Sequence, residues 1–390
     1  MKNYVIIGQG VAGVTAAEHL RKQDQAGGIT MLTDEDLPFY WRTRLNDHIA
    51  GHLDEKGLIV KDDRHYRNLS IDCRLNAPVV SADPDKKVVT TKSREEIPYD
   101  VLLVATGSHS FLPPIEGAEK KGVFALRSVQ DSRDIRAHAQ NKKQAVLIGG
   151  GLLGLETANA LRKMGLRCKV IEFFPRLLPR QLDVAGAGHL QKIMEGMGLS
   201  FWLGAVTKEI LGKDEVSGVR LESGETIEAE MVIVSAGVRP NLELAKPLGL
   251  EVDKGIIVDE RMRTSREGVF AAGDVTQFNG MLYGIWPAAM EQGKIAGINM
   301  GGGEAVYSGT TMANILKVVG IDLASMGNID AENEYESIVV SGENFYKKVV
   351  IMDNLVIGGI FLGDKGEFND IKKLMEEQTD ISKTKNSLLK

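Results

Sequence analysis

Two glycine-rich stretches have the residue types and spacing to hold a phosphate. GQGVAG places glycines at Gly8, Gly10 and Gly13, and GGGLLG places them at Gly149, Gly151 and Gly154, with Leu152 and Leu153 opening the following helix. Glycines let the backbone approach a pyrophosphate, and the free N–H groups at a helix start favour an anion. Because each stretch lies between a predicted strand and a predicted helix, both predict dinucleotide sites.

An acidic residue follows each glycine motif, at the end of the next predicted strand. Glu172 ends KVIE, and LTDED offers Glu35, with Asp34 as the alternative. A carboxylate here accepts hydrogen bonds from an adenosine ribose. It would repel a 2′-phosphate by about 4 kcal/mol at about 4 Å and an effective dielectric near 20. NADH is therefore favoured over NADPH in the second unit, although Arg176 and Arg180 could weaken that preference.

The elements that must position these residues form two βαβ units. In the first, strands at residues 4–7 and 29–33 flank a helix at residues 11–21; in the second, a strand near residue 144 and the strand CKVIE flank a helix at residues 152–164. Such units require parallel sheets. The sequence therefore predicts an α/β fold with two Rossmann-like dinucleotide-binding domains.

The overall composition excludes several classes of protein. With 390 residues the chain is long enough for two or three domains, and its formal charge of −6 argues against binding to nucleic acid or an anionic membrane surface. No apolar run approaches the length of a membrane span, and the N-terminus has no signal-peptide layout, so a cytoplasmic location is expected. The two cysteines, Cys73 and Cys168, form neither a CxxC pair nor a disulfide framework. No metal site is expected.

Further motifs carry a family resemblance. ATG comprises Ala105, Thr106 and Gly107, SAGVRPN contains Gly237, and AAGD contains Gly273 and Asp274. Together with the glycine motifs, in this order over residues 1 to about 300, they resemble the two-dinucleotide-binding-domain flavoproteins. The resemblance implies FAD in the first unit and a nicotinamide nucleotide in the second. It also implies that Asp274 binds the ribityl and pyrophosphate region of FAD, that Thr106 and Gly107 border FAD, and that Gly237 lies by the nicotinamide nucleotide.

The same resemblance divides the chain into domains. Residues 1–112 and 239–305 would form the FAD-binding domain, and residues 113–238 an inserted NAD-binding domain. Residues 306–390, with 9 lysines against 13 acids, would form a small α+β domain.

Two residues carry alternative interpretations. Glu156 suits the first turn of a helix through the helix dipole alone, whereas the resemblance implies a place near the nicotinamide and the flavin. Trp286 lies in YGIWPAAMEQG, directly before the predicted helix start at Pro287. The resemblance implies that the N-terminus of this helix points at the flavin. The Trp286 indole would cover the flavin ring or simply pack.

The segment PFYWRTRLNDHIAG, residues 38–51, contains no cysteine. Glutathione-reductase-like members of the family carry a CxxxxC pair on the first long helix of the FAD unit, and NADH oxidases and coenzyme A disulfide reductases carry one cysteine near residues 38–46. Because disulfide exchange and sulfenic-acid cycles need a thiolate, the composition excludes both mechanisms here.

The same segment resembles the YxRxxLN-type segment of NADH:rubredoxin reductases, through Tyr40, Arg42, Arg44, Leu45 and Asn46. This resemblance implies hydride transfer from NADH to FAD, then single-electron transfer to a small acidic redox protein, rubredoxin or ferredoxin. Arg42 would contact an FAD phosphate. A basic cluster could steer the partner: Arg42, Arg44, Lys61, Arg64 and Arg67. The alternatives are a diaphorase or oxidase that uses oxygen or quinones, and a non-catalytic NADH-sensing flavoprotein subunit.

Overall fold

The computed structural model describes residues 1–310 and 313–389, and backbone contacts divide the chain into two units. The first unit comprises Met1–Leu45, Leu53–Ser110 and Val238–Thr310. The second comprises Asn46–His52, Phe111–Gly237 and Thr311–Lys390. Each unit therefore combines segments that are distant in sequence.

A five-stranded parallel sheet with the strand order β19-β7-β1-β2-β3 forms the centre of the first unit. A three-stranded antiparallel sheet, β4-β5-β6, and two strand pairs, β8-β17 and β18-β20, accompany it. The elements are β1 (Asn3–Ile7), α1 (Val11–Gln23), β2 (Gly28–Leu32), α3 (Glu55–Leu58), α4 (Asp63–Asn68), β3 (Ile71–Arg74), β4 (Val79–Asp83), β5 (Val88–Thr91), β6 (Glu96–Pro98), β7 (Val101–Val104), β8 (Ser108–Ser110), β17 (Val238–Pro240), β18 (Ile256–Val258), β19 (Val269–Ala271), β20 (Thr276–Phe278) and α8 (Trp286–Met300). A 3₁₀ turn covers Arg42–Arg44, and α2 covers Leu45–Ile49.

Helices α1 and α8 approach each other backbone to backbone. A Cβ on Gly293 would lie 2.3 Å from the carbonyl oxygen of Ala12, and one on Gly297 would lie 2.2 Å from that of Ala16. Only glycine fits at such a distance. This contact fixes the position of α8 relative to α1, the helix that follows GQGVAG.

The second unit repeats the parallel architecture. Its sheet has the order β12-β11-β10-β16-β9, with every neighbouring pair parallel, and β13-β14-β15 forms an antiparallel sheet. The elements are β9 (Val123–Phe124), α5 (Val129–Ala139), β10 (Gln144–Ile148), α6 (Leu152–Lys163), β11 (Arg167–Glu172), α7 (Val184–Gly196), β12 (Ser200–Leu203), β13 (Thr207–Leu211), β14 (Gly218–Leu221), β15 (Thr226–Glu228) and β16 (Met231–Val234).

The C-terminal part of the second unit is an antiparallel sheet covered by a helix. The sheet has the order β21-β22-β25-β24-β23, and α9 packs on β25 through buried Phe368 and Ile371. The elements are β21 (Ala313–Val318), β22 (Ile321–Gly327), β23 (Glu336–Ser341), β24 (Tyr346–Met352), β25 (Leu355–Leu362) and α9 (Phe368–Glu376), followed by a 3₁₀ turn at Lys385–Ser387.

The fold class predicted from the sequence is confirmed: parallel Rossmann-like sheets occur in both units, and the C-terminal part is α+β. In the described ranges, none of the helices combines the length and the apolar character needed to cross a membrane.

Candidate dinucleotide-binding sites

The turn after β1 contains three glycines, Gly8, Gly10 and Gly13, whose surroundings differ. Gly8 has φ +108°, and a Cβ there would lie 2.1 Å from the carbonyl oxygen of Ala105. A Cβ on Gly13 would lie 2.0 Å from the carbonyl oxygen of Gly8, so this glycine lets α1 close on the turn. A Cβ on Gly10, in contrast, would meet nothing within 4 Å. The space in front of Gly10 is therefore open to a ligand.

The turn after β10 has the same construction. Gly149 has φ +117°, with a Cβ position 2.2 Å from the carbonyl oxygen of Ser235, and the Cβ position of Gly154 lies 2.1 Å from the carbonyl oxygen of Gly149. Gly151 again faces open space, and Leu152 and Leu153 form the first two positions of α6. Two turns with one open glycine at a helix N-terminus each are what a dinucleotide pyrophosphate requires. The residues present fit FAD in the first unit and a nicotinamide nucleotide in the second.

Glu35 lies after β2 and is held by two neighbours. Its carboxylate accepts hydrogen bonds from the Tyr40 hydroxyl and from the Arg42 guanidinium, which also forms an ion pair with it. Arg42 donates a further bond of 2.9 Å to the Tyr40 hydroxyl. Glu35, which is expected to bind the ribose, is therefore in direct contact with Arg42, which is expected to bind an FAD phosphate. They line a small pocket with Gln9, Thr33, Leu37, Pro38, Phe39 and Tyr40.

Asp34 faces a different space from Glu35. It lines a cleft of about 450 Å³ with Asn76, Ala77, Pro78, Thr91, Lys92 and Ser93. Sequence reasoning did not single out residues 76–78. Their backbone is hydrogen-bonded to the residues that follow β2. Asn76 N–H donates to the Glu35 carbonyl at 3.0 Å, and Ala77 N–H donates to the Thr33 carbonyl at 2.7 Å.

Two of the distant motifs are joined by backbone and amide hydrogen bonds. The Thr106 hydroxyl donates to the Asn241 carbonyl at 3.1 Å, and the Asn241 amide donates to the Thr106 carbonyl at 2.7 Å. The Asn241 N–H donates to the Gly107 carbonyl at 3.0 Å. The ATG turn is therefore fixed by the asparagine of SAGVRPN, which the sequence motif contained but to which it assigned no role.

The GD motif is fixed from two sides. Gly273 N–H donates to the Gln292 side chain at 2.9 Å, and the Ser108 hydroxyl donates to the Asp274 carboxylate at 2.9 Å. Gln292 lies on α8 and Ser108 directly follows ATG. Neither residue was among the predicted site residues, because both pairings depend on how distant segments meet.

Trp286 begins α8 and forms an aromatic stack. Its ring lies 5.3 Å from that of Trp41 at an interplanar angle of 27°, and 5.8 Å from that of Phe39. Both partners belong to the segment PFYWRTRLNDHIAG. Trp286 therefore packs against this segment.

Glu172 is buried beside the second glycine turn. Its carboxylate accepts from Gly150 N–H at 2.5 Å and from Phe174 N–H at 2.8 Å. The Arg176 guanidinium donates to the carbonyls of Leu182 and Pro179, at 3.3 and 3.4 Å. Arg176 is thus occupied within its own loop, which lowers its availability to a 2′-phosphate.

Glu156 lies on α6, and its carboxylate accepts from Val319 N–H at 2.6 Å. Burial raises the pKa of this carboxyl group, while the bond from Val319 opposes the shift. The next residue, Thr157, donates to the Asn46 side chain at 3.0 Å. Gly237 is the last residue of the segment Phe111–Gly237 and has φ +93°; its carbonyl accepts from Phe111 N–H at 2.9 Å.

Both cysteine thiols are held in the neutral state. Burial raises the pKa of Cys73 to about 12 and that of Cys168 to about 12. The Cys73 thiol accepts from the Gln9 amide at 3.0 Å, and the Cys168 side chain is buried. Among the residues that the structure describes, no group of three or more His, Cys, Asp and Glu could hold a metal ion.

The family comparison agrees with this geometry. Residues 2–293 match the model of the pyridine nucleotide-disulphide oxidoreductases. The chain belongs to this family. Its members depend on FAD and NAD(P)H, in agreement with the two glycine turns. Residues 313–379 match the C-terminal domain model of rubredoxin NAD⁺ reductases.

The relatives of this chain are named for different electron acceptors. The chain is 36% identical to a nitrite reductase [NAD(P)H] of Bacillus subtilis (strain 168), covering 98% of this chain and 48% of that protein. It is 31% identical to an NADH-rubredoxin oxidoreductase of Clostridium acetobutylicum, covering 95% and 94%. The crystal structure of NADH:rubredoxin oxidoreductase from Clostridium acetobutylicum has a TM-score of 0.85 at 30% identity, covering 98% of this chain and 97% of that one. The chain spans about half the length of the first curated relatives it matches.

Proposed function

We propose that this protein is an FAD-dependent NADH oxidoreductase that passes electrons singly to a small redox protein such as rubredoxin, without a redox-active cysteine. The state of the two cysteines carries this proposal. With the thiol pKa raised to about 12 at both Cys73 and Cys168, neither is a thiolate at neutral pH. Since disulfide exchange begins with a thiolate, outward electron transfer is the best remaining use of the cofactor.

The residues of the first unit would hold FAD. The turn with Gly8, Gly10 and Gly13 would receive the pyrophosphate, and Asp274, oriented by Ser108, would bind nearby. Glu35 and Arg42 would hold the ribose and phosphate ends, with Ala105, Thr106, Gly107 and Gly273 as the bordering backbone. Bound FAD supplies the conversion between a two-electron donor and one-electron acceptors.

The residues of the second unit would hold NADH. Gly149, Gly151 and Gly154, with Leu152 and Leu153, would bind the pyrophosphate, and Glu172 the adenosine ribose. Glu156 and Gly237 would lie towards the nicotinamide. The buried Glu172 carboxylate and the occupied Arg176 favour NADH over NADPH.

The acceptor is proposed from charge and from relatives. Arg44, Arg64 and Arg67 are exposed on the first unit. Arg42 forms an ion pair with Glu35, and Lys61 forms one with Glu18 at 3.0 Å. Exposed guanidinium groups suit an acidic carrier. Relatives named as rubredoxin reductases support the same choice. A relative named NADH oxidase favours oxygen as the second candidate acceptor, and the nitrite reductases favour a larger assembly in which this chain supplies the electrons.

Anaerobic stopped-flow spectroscopy tests donor and acceptor together. The FAD-loaded protein is reduced with NADH or NADPH and then mixed with rubredoxin, ferredoxin, oxygen, a quinone or nitrite. We expect faster reduction by NADH and fastest reoxidation by an iron–sulfur or rubredoxin-type carrier.

A double cysteine variant provides the control. The double variant Cys73→Ser, Cys168→Ala should retain the carrier rate, because neither thiol takes part. Reoxidation that is fastest with oxygen, or a rate that collapses in the double variant, would reject the proposal. Reduction by NADH without useful transfer to any acceptor would favour an NADH-sensing subunit.

A further inference from the structure

The segment that follows α8 is anchored in the first unit by a buried tyrosine, Tyr307. The Tyr307 N–H donates to the Glu260 carbonyl at 2.7 Å, and its ring lies 5.0 Å from that of Phe278 in β20. Two residues earlier, Ala305 is bonded through both its N–H and its carbonyl to the Asn299 side chain of α8. This segment is therefore fixed against α8 and β20.

The Tyr307 hydroxyl lies in a chain of polar groups. It is 2.7 Å from the Thr310 hydroxyl, which donates to the Glu291 carboxylate at 3.1 Å. Because the single hydroxyl proton of Thr310 is used in that bond, Tyr307 is the donor to Thr310. The lone pairs of the Tyr307 oxygen are then left to accept from other donors.

Gln292 on α8 supplies such a donor. Burial raises the pKa of Tyr307 to about 12, and the bond from the Gln292 side chain opposes this shift. A bond that lowers the pKa of a tyrosine is one donated to its oxygen, so the amide NH₂ group of Gln292 faces Tyr307. A hydroxyl oxygen accepts two bonds, so the neighbouring Tyr283 hydroxyl does not displace Gln292.

The other end of the Gln292 amide holds the GD motif. Its Oε1 accepts from Gly273 N–H at 2.9 Å and lies 2.9 Å from the Thr276 hydroxyl. Rotation of the amide by 180° would place its NH₂ group against Gly273 N–H, and two donors cannot bond to each other. The Tyr307 oxygen, as the acceptor at the opposite end, favours the orientation that the GD motif needs.

We propose that Tyr307 is a positioning residue for FAD: its hydroxyl orients Gln292, and Gln292 holds the GD turn that presents Asp274 to the cofactor. This inference rests on the proposed function, which assigns FAD to this unit. Tyr307 acts through Gln292, and no contact between its own side chain and FAD is needed. The segment after α8 is thus a part of the FAD site.

Tyr307→Phe tests this orientation while the ring packing is retained. The Gly273 amide should exchange its hydrogen faster in the FAD-loaded variant, because Gln292 loses the acceptor that orients it. The Kd for FAD should rise about tenfold, as expected when a buried donor loses its partner. Hydrogen exchange measures the first effect, and flavin fluorescence on dilution of the loaded protein measures the second.

Gln292→Met separates an action through Gln292 from a general loss of packing. Methionine has a similar length but no amide, so this variant should raise the Kd for FAD, and adding Tyr307→Phe should raise it no further. Tyr99→Phe is the matched control. Tyr99 is also buried in the first unit, and within the described residues its hydroxyl has no hydrogen-bond partner. Its loss should change neither the Gly273 exchange nor the Kd for FAD.

Two results would overturn the inference. One is an unchanged Kd for FAD together with unchanged Gly273 exchange in Tyr307→Phe. The other is an equal rise in the Kd when Tyr307→Phe is added to the wild type and to Gln292→Met, which would mean that Tyr307 acts independently of Gln292. Either result leaves the proposed function standing if the wild type binds FAD and passes electrons from NADH to a carrier, whereas a wild type that binds no FAD would refute the proposed function itself.

Discussion

Trp286 stacks on Trp41, with ring centroids 5.3 Å apart and planes inclined by 27°. Trp286 starts α8, and Trp41 belongs to the segment that precedes α2. The stack therefore joins the first turn of α8 to a segment about 245 residues earlier in the chain, on the part of the first unit proposed to hold FAD.

The stack predicts a fluorescence response to cofactor removal. The third tryptophan, Trp202, lies in the second unit and bonds to Glu225. Removing FAD should increase tryptophan emission, because a flavin nearby quenches Trp41 and Trp286. Trp202→Phe should keep most of this increase, and Trp286→Phe should lose much of it. An increase that disappears in Trp202→Phe would place the flavin elsewhere.

The glycine turns predict separate losses of the two nucleotides. Gly10→Ala adds a methyl group to open space, so the protein should fold normally but bind FAD at least about tenfold more weakly, the effect of losing about 1.4 kcal/mol. Gly151→Ala should retain FAD and raise the KM for NADH. Flavin absorbance per protein and steady-state kinetics measure both effects.

Gly13→Ala provides the contrast. Its Cβ would lie 2.0 Å from the Gly8 carbonyl oxygen, so the variant should lose thermal stability even as the apoprotein. Equal stability of the Gly10→Ala and Gly13→Ala apoproteins would contradict the distinction between an open and a packed glycine.

These turns also show how far the sequence predicts the structure. The strand–glycine–helix units of the two predicted dinucleotide sites follow from local patterns, and both are present. The bonds from Asn241 to Thr106, from Ser108 to Asp274 and from Val319 to Glu156 were not predicted. Each joins residues more than 130 positions apart, and such pairings depend on the path of the whole chain.

The buried lysine Lys348 predicts a large loss of stability. Its ammonium lies 3.1 Å from Asp183 and 3.4 Å from Asp330, and all three side chains are almost completely buried. Lys348→Met leaves two buried carboxylates without their cation and should lower the free energy of unfolding by about 3–5 kcal/mol. Tyr346→Phe removes one hydrogen bond to Asp183 and should cost about 1 kcal/mol.

Lys347→Met is the matched control in urea unfolding experiments. Lys347 is also buried, but its partners Asp364 and Glu367 retain 54% and 22% exposure. Water can solvate these carboxylates when the lysine is removed, so the loss should be smaller than for Lys348→Met. Equal losses in the free energy of unfolding would show that the complete burial of Asp183 and Asp330 does not increase the cost of removing their lysine.

Glu156 predicts a stability difference that depends on pH. Burial raises its pKa in the folded state, so the folded protein binds this proton more tightly than the unfolded chain does. Protonation of Glu156 therefore stabilises the folded state at low pH. This contribution to the free energy of unfolding is lost as the pH rises through the raised pKa. Glu156→Gln, which has no such proton, should therefore gain stability relative to the wild type as the pH rises above about 4.3, the ordinary pKa of a glutamate. A stability difference that does not change as the pH rises above this value would contradict the raised pKa.

The exposed arginines predict a salt-dependent reaction with an acidic carrier. Rubredoxin reduction should slow as ionic strength rises, and Arg44→Glu should slow it further at low salt, because surface charges act mainly on association. Lys246→Glu makes the same change in charge at another exposed site of the first unit and should have a smaller effect. A carrier rate that is indifferent to salt and to Arg44→Glu would count against steering.

The buried bonds from Tyr346 and Lys348 to Asp183 constrain how this chain can recombine with its relatives. In chain order, residues 111–237 are an insertion whose two ends adjoin the paired strands β8 and β17. The pairing of β8 with β17 suggests that residues 111–237 could be exchanged between relatives as a single segment. Exchange of this segment alone, however, would separate Asp183 from its native partners Tyr346 and Lys348, which lie in the C-terminal domain. A functional hybrid should therefore exchange residues 46–52, 111–237 and 311–390 together, because these three segments form the second unit.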